Sequence, residues 1–236
     1  MPKPLLDTSG FTTALDTLAK RDVVIASTWA LNDTAEEARA HVAERMTVVF
    51  DRPTRFTQNA FRVRKARSSD LEAAVEERAT IGRRHYLKVQ EEGGPRGQTG
   101  FEKLLSQNLA FEGIIQSVIP AEGARLDAYG NWSTGERNQV LSALNAQRDR
   151  AANATKASRK RKPKRARYFV PKAGLTQDIY KRGPSGIAER VAILSDKVPV
   201  YQKRLGFFAE AERIYETRLP AHLGRTLAKM IAKRFG

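Results

Sequence analysis

The sequence predicts an α+β fold with a long helix near each end of the chain and an antiparallel sheet between them. Apolar residues recur at helical spacing near both ends, and stretches with a period of two follow Pro53. With 236 residues, 41% of them hydrophobic, the chain can form one large domain or two small ones. We predict a single α+β domain over 1–236 with a helical and basic insertion at about 100–167.

The N-terminal helix is predicted from Phe11 to about Phe50, where apolar residues are three, four or seven positions apart. Thr34 and Glu37 have the spacing of a capping box, so the segment is one helix or two helices that meet near Asn32. A single straight helix would be about 60 Å long. Such a helix either offers a surface to a partner or wraps its own sheet.

The middle of the chain is predicted to alternate short strands with short helices, because its apolar runs are brief and are bounded by Gly, Pro and Ser. The predicted elements are an antiparallel pair at 56–66 and 71–81, a short strand at 85–90 or in its place a lead into the next loop, a glycine-rich loop at 91–100, a helix at 101–111, an apolar run at 114–119 and a helix from about 133 to about 150.

The last third is predicted to contain three strands and the C-terminal helix. The strands are placed at 168–171, 174–182 and 187–198, with a turn at 183–186 between the last two. The helix is placed at about 205–234, and Pro220 is expected to kink or restart it.

Positive charge is concentrated in a basic segment between Lys156 and Arg167. The formal net charge of the chain is +16, and eight of these twelve residues are basic while none is acidic. Crowded like charges cannot form a core, so we predict a mobile loop or a hairpin tip. The segment is interpreted either as a contact to DNA phosphates or an acidic partner, or as a solvated loop. Its basic residues are Lys156, Arg159, Lys160, Arg161, Lys162, Lys164, Arg165 and Arg167.

Residue types and spacings give little support to catalysis. The absence of cysteine excludes disulfides, Cys-ligated zinc and thiol nucleophiles. The histidines His41, His85 and His222 lack the spacing of a metal motif, and no serine lies in a nucleophile elbow. We therefore predict no enzymatic activity, no catalytic residue, no metal and no cofactor.

The glycine-rich loop resembles a phosphate-binding loop only in part. Gly94, Gly97 and Gly100 precede a predicted helix, but the Lys of a P-loop is missing and Glu91 and Glu92 would repel a nucleotide. We interpret the loop as a contact to a neighbouring subunit. The predicted interface residues are Glu91, Glu92, Gly93, Gly94, Arg96, Phe207, Phe208 and Tyr215.

Membrane insertion and secretion are not predicted. No run of about 18 apolar residues occurs, and the first residues lack an apolar segment of signal-peptide length. We expect a soluble product without a membrane partner.

Several stretches follow one another in a characteristic order. They are the long N-terminal helix leading to 51–60, residues 85–87 before 92–94, residues 124–131, residues 174–182 before a strand, and residues 218–224 inside the terminal helix. The order of these segments resembles the minor tail protein Z or tail-completion (neck) proteins of long-tailed bacteriophages.

This resemblance implies a structural protein of the virion that completes the tail and joins it to the head. Such proteins are made in the host cytoplasm and usually form rings, here a hexamer. The implied partners are copies of itself, the tail terminator or tail tube, head-side neck proteins, and genomic DNA in the lumen. The alternative is a cytoplasmic basic nucleic-acid-binding protein. A third hypothesis is a phage-associated hydrolase that uses His85 or Glu92.

Overall fold

A computed structural model describes residues 8–79, 86–109, 114–161, 167–183 and 186–235. Helices and antiparallel strands are combined in it, which confirms the α+β class. The chain divides into two compact units, one formed by Met1–Glu91 with Arg204–Gly236 and the other by Glu92–Lys203. The second unit is longer than the insertion that the sequence predicts within a single domain.

The first unit is built mainly from helices. Helix α1 continues through a five-residue π-helix, Leu18–Asp22, into α2, so the predicted N-terminal helix runs without a break to Val49. Its elements are α1 (Ser9–Thr17), α2 (Val23–Val49), α3 (Arg55–Gln58), β1 (Phe61–Arg64), β2 (Ala74–Glu77), α4 (Tyr86–Glu92, which ends in the second unit) and α8 (Phe207–Phe235).

The helix break considered near Asn32 is wrong. The side chain of Asn32 bonds outside the helix, to the backbone carbonyl oxygen of Ala66 at 3.2 Å and the backbone N–H of Ala66 at 2.8 Å. It therefore does not compete for the hydrogen bonds of its own helix. Thr34 forms no capping box, because its hydroxyl is buried and donates to the carbonyl oxygen of Ala30 at 2.7 Å.

Small residues allow α2 and α8 to pack closely. Ala26, Ala30, Thr34 and Ala38 follow one another at intervals of four, and all are buried. This spacing places them on one face of α2, where short side chains let another helix backbone approach. Helix α8 continues through Pro220, so the proline does not restart it.

The core of the first unit lies where the C-terminal half of α2 meets the strand pair. Val42, Met46 and Leu87 are buried there, and the ring of Phe207 stacks on Phe61 with 4.7 Å between centroids. Strands β1 and β2 pair antiparallel, as predicted, but over shorter ranges. Residues 56–58, predicted as the start of the first strand, belong to α3, where the Thr54 side chain caps the helix. The strand predicted at 85–90 is wrong, because α4 buries Leu87 and Gln90 at a helical spacing of three.

The second unit is built around a four-stranded antiparallel sheet in the order β4-β7-β6-β5, with β3 paired to β8. Its elements are β3 (Gly94–Pro95), α5 (Gly100–Asn108), β4 (Ser117–Pro120), α6 (Thr134–Ala143), α7 (Lys156–Arg161), β5 (Arg167–Phe169), β6 (Ile179–Arg182), β7 (Ala188–Ser195) and β8 (Val200–Tyr201). The three predicted strands of the last third are confirmed over shorter ranges as β5, β6 and β7.

Helix α6 ends seven residues earlier than predicted. Asn145 adopts a positive φ of 59°, a left-handed conformation that commonly terminates helices.

The core of the second unit forms where α5 and α6 pack on the sheet. Its most buried apolar residues include Leu105, Val140, Ile179 and Val191.

Candidate functional site

The basic segment is helical where the structure describes its first half, which corrects the prediction of a loop or hairpin tip. Helix α7 covers Lys156–Arg161, and reciprocal hydrogen bonds between Thr155 and Ser158 cap its first turn. The capping residues explain the difference, because they offset the repulsion between neighbouring cations. The side chain of Arg159 and residues Lys162, Lys164 and Arg165 lie outside the described residues.

The described cations of the basic segment are exposed. Lys156, Lys160 and Arg161 project from α7, and Arg167 begins β5 opposite Arg182. Within the described ranges, no carboxylate lies within ion-pair distance of these four side chains. The described part of the segment therefore offers positive charge to solvent.

Several residues of the predicted subunit interface bind within their own unit. The carboxylate of Glu91 accepts hydrogen bonds from the backbone N–H groups of Phe207 at 2.7 Å and Phe208 at 3.4 Å, so it caps α8. Gly93 has a φ of 76°, and Gly94 pairs with Tyr201 between β3 and β8.

Arg96 and Phe207 also have internal roles. Two nitrogens of the Arg96 guanidinium each donate to the Glu102 carboxylate at 2.8 Å, and Phe207 stacks in the core of the first unit. The exposed Glu92 follows Glu91 at the end of α4. Phe208 and Tyr215 project most openly, with 70% and 53% of their surface exposed.

Ion pairs connect α2, and the end of the π-helix that precedes it, to α8 along the seam between the helices. His41 lies 2.8 Å from the carboxylate of Glu210, and Arg234 donates to Asp22 at 2.6 Å near the other end of the seam. Hydrogen bonds from Arg213 and His41 lower the pKa of Glu210. These pairs show that the two helices run antiparallel.

His222 is buried in the same seam. Arg225 donates to its Nδ1 at 2.7 Å, and its Nε2 lies 3.3 Å from the carboxylate of Glu37. Both histidines that the structure describes thus have partners that explain them as structural residues. His85 lies outside the described residues.

An open groove of about 890 Å³ follows this seam between the N-terminal half of α2 and the C-terminal end of α8. Three apolar side chains line it, namely Ile25, Trp29 and Met230, and 56% of the Trp29 surface is exposed. Its charged lining residues are Arg21, Asp22, Asp33, Arg225, Lys229, Lys233 and Arg234.

Positive charge dominates the groove. Arg234 engages Asp22, and the Arg234 hydrogen bond lowers the pKa of that carboxyl group. Asp33 lies 3.7 Å from Arg225. Among the described residues, no carboxylate lies within ion-pair distance of Arg21, Lys229 or Lys233. The groove was not foreseen, because its residues come from two segments about 200 positions apart whose pairing the sequence does not reveal.

The second unit contains two buried glutamates at the third position of a helix. Glu136 is 1% exposed and accepts hydrogen bonds from the backbone N–H of Arg125 at 2.6 Å, the indole of Trp132 at 2.9 Å and the hydroxyl of Tyr168 at 2.9 Å. Burial acts to raise its pKa, but these hydrogen bonds lower it.

Glu102 is the second buried glutamate. Its carboxylate completes a capping box with Thr99, accepts the Arg96 pair and accepts the backbone N–H of Val118 at 3.1 Å. Burial favours a higher pKa, but these bonds lower it to about 2. The groups that donate to the two glutamates are backbone N–H groups and side chains of the same unit. Both carboxylates therefore hold parts of the fold together.

Among the residues that the structure describes, no group of three or more potential metal ligands is found. In the same ranges, no helix is both long enough and apolar enough to cross a bilayer. Comparisons of the chain with protein-family models, curated proteins and solved structures find no match.

Proposed function

We propose that this chain is a structural protein that assembles with further copies of itself as a tail-completion or neck component of a long-tailed phage. The observation that carries the proposal is the outer face of α8. Phe208 and Tyr215 are seven residues apart and therefore lie on the same side of that helix. Large aromatic side chains that remain this exposed are characteristic of a surface that is buried on association.

The helix pair formed by α2 and α8 supports assembly through this face. One side of α8 is already used, because Ile214, His222 and Thr226 are buried. The side that carries Phe208 and Tyr215 is available to a partner. We assign a second copy of the chain to it, as expected for a component that repeats around the tail axis.

The exposed cations of α7 support a role near DNA or acidic proteins. Lys156, Lys160 and Arg161 attract polyanions without any base-specific geometry, through release of counterions. A neck component that surrounds a passing genome requires only this kind of contact. The six-copy ring and the tail and head partners are part of the same proposal.

Electron microscopy of the purified chain, together with immunogold labelling of purified phage particles, tests the proposal. The proposed function predicts closed rings in solution and label at the junction of head and tail. Particles that lack the chain, together with a monomer in the host cytoplasm, would contradict it and favour the cytoplasmic nucleic-acid-binding alternative.

A further inference from the structure

We propose that the groove between α2 and α8 binds single-stranded nucleic acid, with phosphates on its row of cations and a base stacked on Trp29. This inference goes beyond the proposed function and does not depend on it. The site lies within the first unit and is separate from the basic segment of α7.

The cations of the groove form a row along one helix. Arg225, Lys229 and Lys233 are four residues apart, so they share a face of α8 and are separated by about 6 Å along its axis. This spacing is close to that of successive phosphates on an extended strand. Arg234 and Arg225 are the cations closest to the two carboxylates of the groove, and Lys233 acts on Asp22 only from beyond ion-pair distance. The ammonium groups of Lys229 and Lys233 can therefore contact phosphates.

Trp29 supplies the second element of a single-strand site. Its indole lies beside the cation row and is more than half exposed, although Ile25 and Met230 next to it are half-buried. Stacking of a base on such a ring is typical of proteins that bind single strands without sequence preference. The exposed ring and the cation row together therefore favour a base with its phosphate over a free anion.

The composition of the groove disfavours an amphipathic helix as its occupant. Seven of its eleven lining residues are charged and three are apolar, whereas a groove that binds a helix needs several apolar pockets. A duplex is also disfavoured, because its bases are stacked inside and cannot reach Trp29. Single-stranded nucleic acid is the ligand that uses both the cations and the indole.

Intrinsic fluorescence tests the proposal directly. The chain contains only Trp29 and Trp132. Trp132 is buried and donates to Glu136, so it is kept, and the Trp29 signal is the part of the fluorescence that Trp29→Phe removes. Titration of the full-length chain with a thymine oligonucleotide of about 20 residues is expected to quench this signal, and the affinity is expected to fall as salt rises. A duplex of equal length is expected to leave Trp29 unquenched.

Two variants locate the contact. Lys229→Gln/Lys233→Gln is expected to weaken binding at least tenfold and to reduce the salt slope by about 1.4, since each phosphate contact on a single strand contributes about 0.7. Trp29→Ala is expected to weaken binding of a labelled oligonucleotide by about five- to a hundredfold. The charge-matched control is Lys172→Gln/Lys197→Gln on the exposed surface of the second unit, which is expected to retain the wild-type slope.

Three results would overturn the inference. One is the absence of oligonucleotide binding. An acidic protein segment would then be the ligand that suits the positive charge of the groove. Another is binding detected by anisotropy without quenching of Trp29, which places the strand elsewhere. The third is an equal loss of affinity in the control variant, which would show that net charge alone explains the effect.

Discussion

At the scale of single residues, the buried charges of the second unit are compensated by hydrogen bonds from groups fixed in place by the fold. Glu102 and Glu136 each occupy the third position of a helix, where a glutamate can reach back to the N-terminal backbone. In both cases the carboxylate also reaches groups outside its helix. The two residues therefore connect helix starts to the rest of the core.

Glu136→Gln is expected to destabilise the second unit by about 1–3 kcal/mol. Both carboxylate oxygens accept hydrogen bonds. A neutral amide accepts more weakly from the backbone N–H of Arg125 and the indole of Trp132, and the Tyr168 hydroxyl must turn to accept from the new NH₂ group. Urea unfolding followed by circular dichroism measures the change. Glu122→Gln, at an exposed position near the same loop, is the control. Equal stability of the two variants would show that the hydrogen bonds of Glu136 are dispensable.

Acid is expected to destabilise the second unit through Glu102. Its pKa is about 2 in the folded chain and about 4.5 for the free side chain, so the unfolded state binds a proton first as pH falls. The stability from this group is complete above about pH 4.5 and is lost between there and about pH 2. Unfolding midpoints measured between about pH 5 and about pH 3 should fall less steeply for Glu102→Gln. If the unfolding midpoints of variant and wild type fell equally steeply with pH, Glu102 would not be the group that causes the loss of stability in acid.

At the scale of elements, the sequence predicted the long helices and most strands, because hydrophobic periodicity is strong over long segments. The predictions were wrong where a local sequence pattern was compatible with two structures. Thr34 and Glu37 resemble a capping box but lie within α2, and α4 was predicted as a strand because its apolar positions are too few to define a period. Helix α7, which covers the first half of the basic segment, was predicted as a loop on charge alone, although Thr155 and Ser158 cap it.

The candidate sites were less predictable than the elements. Phe208 and Tyr215 could be selected from the sequence, since they belong to an apolar face of a predicted helix. The groove could not, because Trp29 and Lys229 meet only through the pairing of α2 with α8. That pairing depends on the alanines of α2, which give no signal that specifies a partner helix.

The alanine face of α2 provides a test of this pairing. Ala38→Leu is expected to destabilise the first unit by about 1–3 kcal/mol, because added methylene groups cannot fit a buried helix contact without displacing its neighbours. Ala40→Leu, at an exposed position of the same helix, is expected to stay within about 0.5 kcal/mol of wild type. Thermal unfolding followed by circular dichroism compares them. A larger loss of stability in Ala40→Leu than in Ala38→Leu would mean that the alanine face of α2 is not the face that packs on α8.

At the scale of the whole molecule, each compact unit offers a different kind of surface. The first unit contains the exposed aromatic residues of α8 and the cationic groove, and the second contains the exposed cations of α7. A net charge of +16 favours association with acidic partners. These surfaces support association and polyanion binding as the basis of the proposed function.

The central claim is that copies of this chain associate through the outer face of α8. Analytical ultracentrifugation of wild type and of Phe208→Asp/Tyr215→Asp tests it most directly, with Leu175→Asp/Ile187→Asp, which places the same charges on exposed apolar positions of the second unit, as the control. We expect a closed oligomer for the wild type and the control, and a folded monomer for the α8 variant. A monomeric wild type, or an α8 variant that assembles as the wild type does, would contradict the claim.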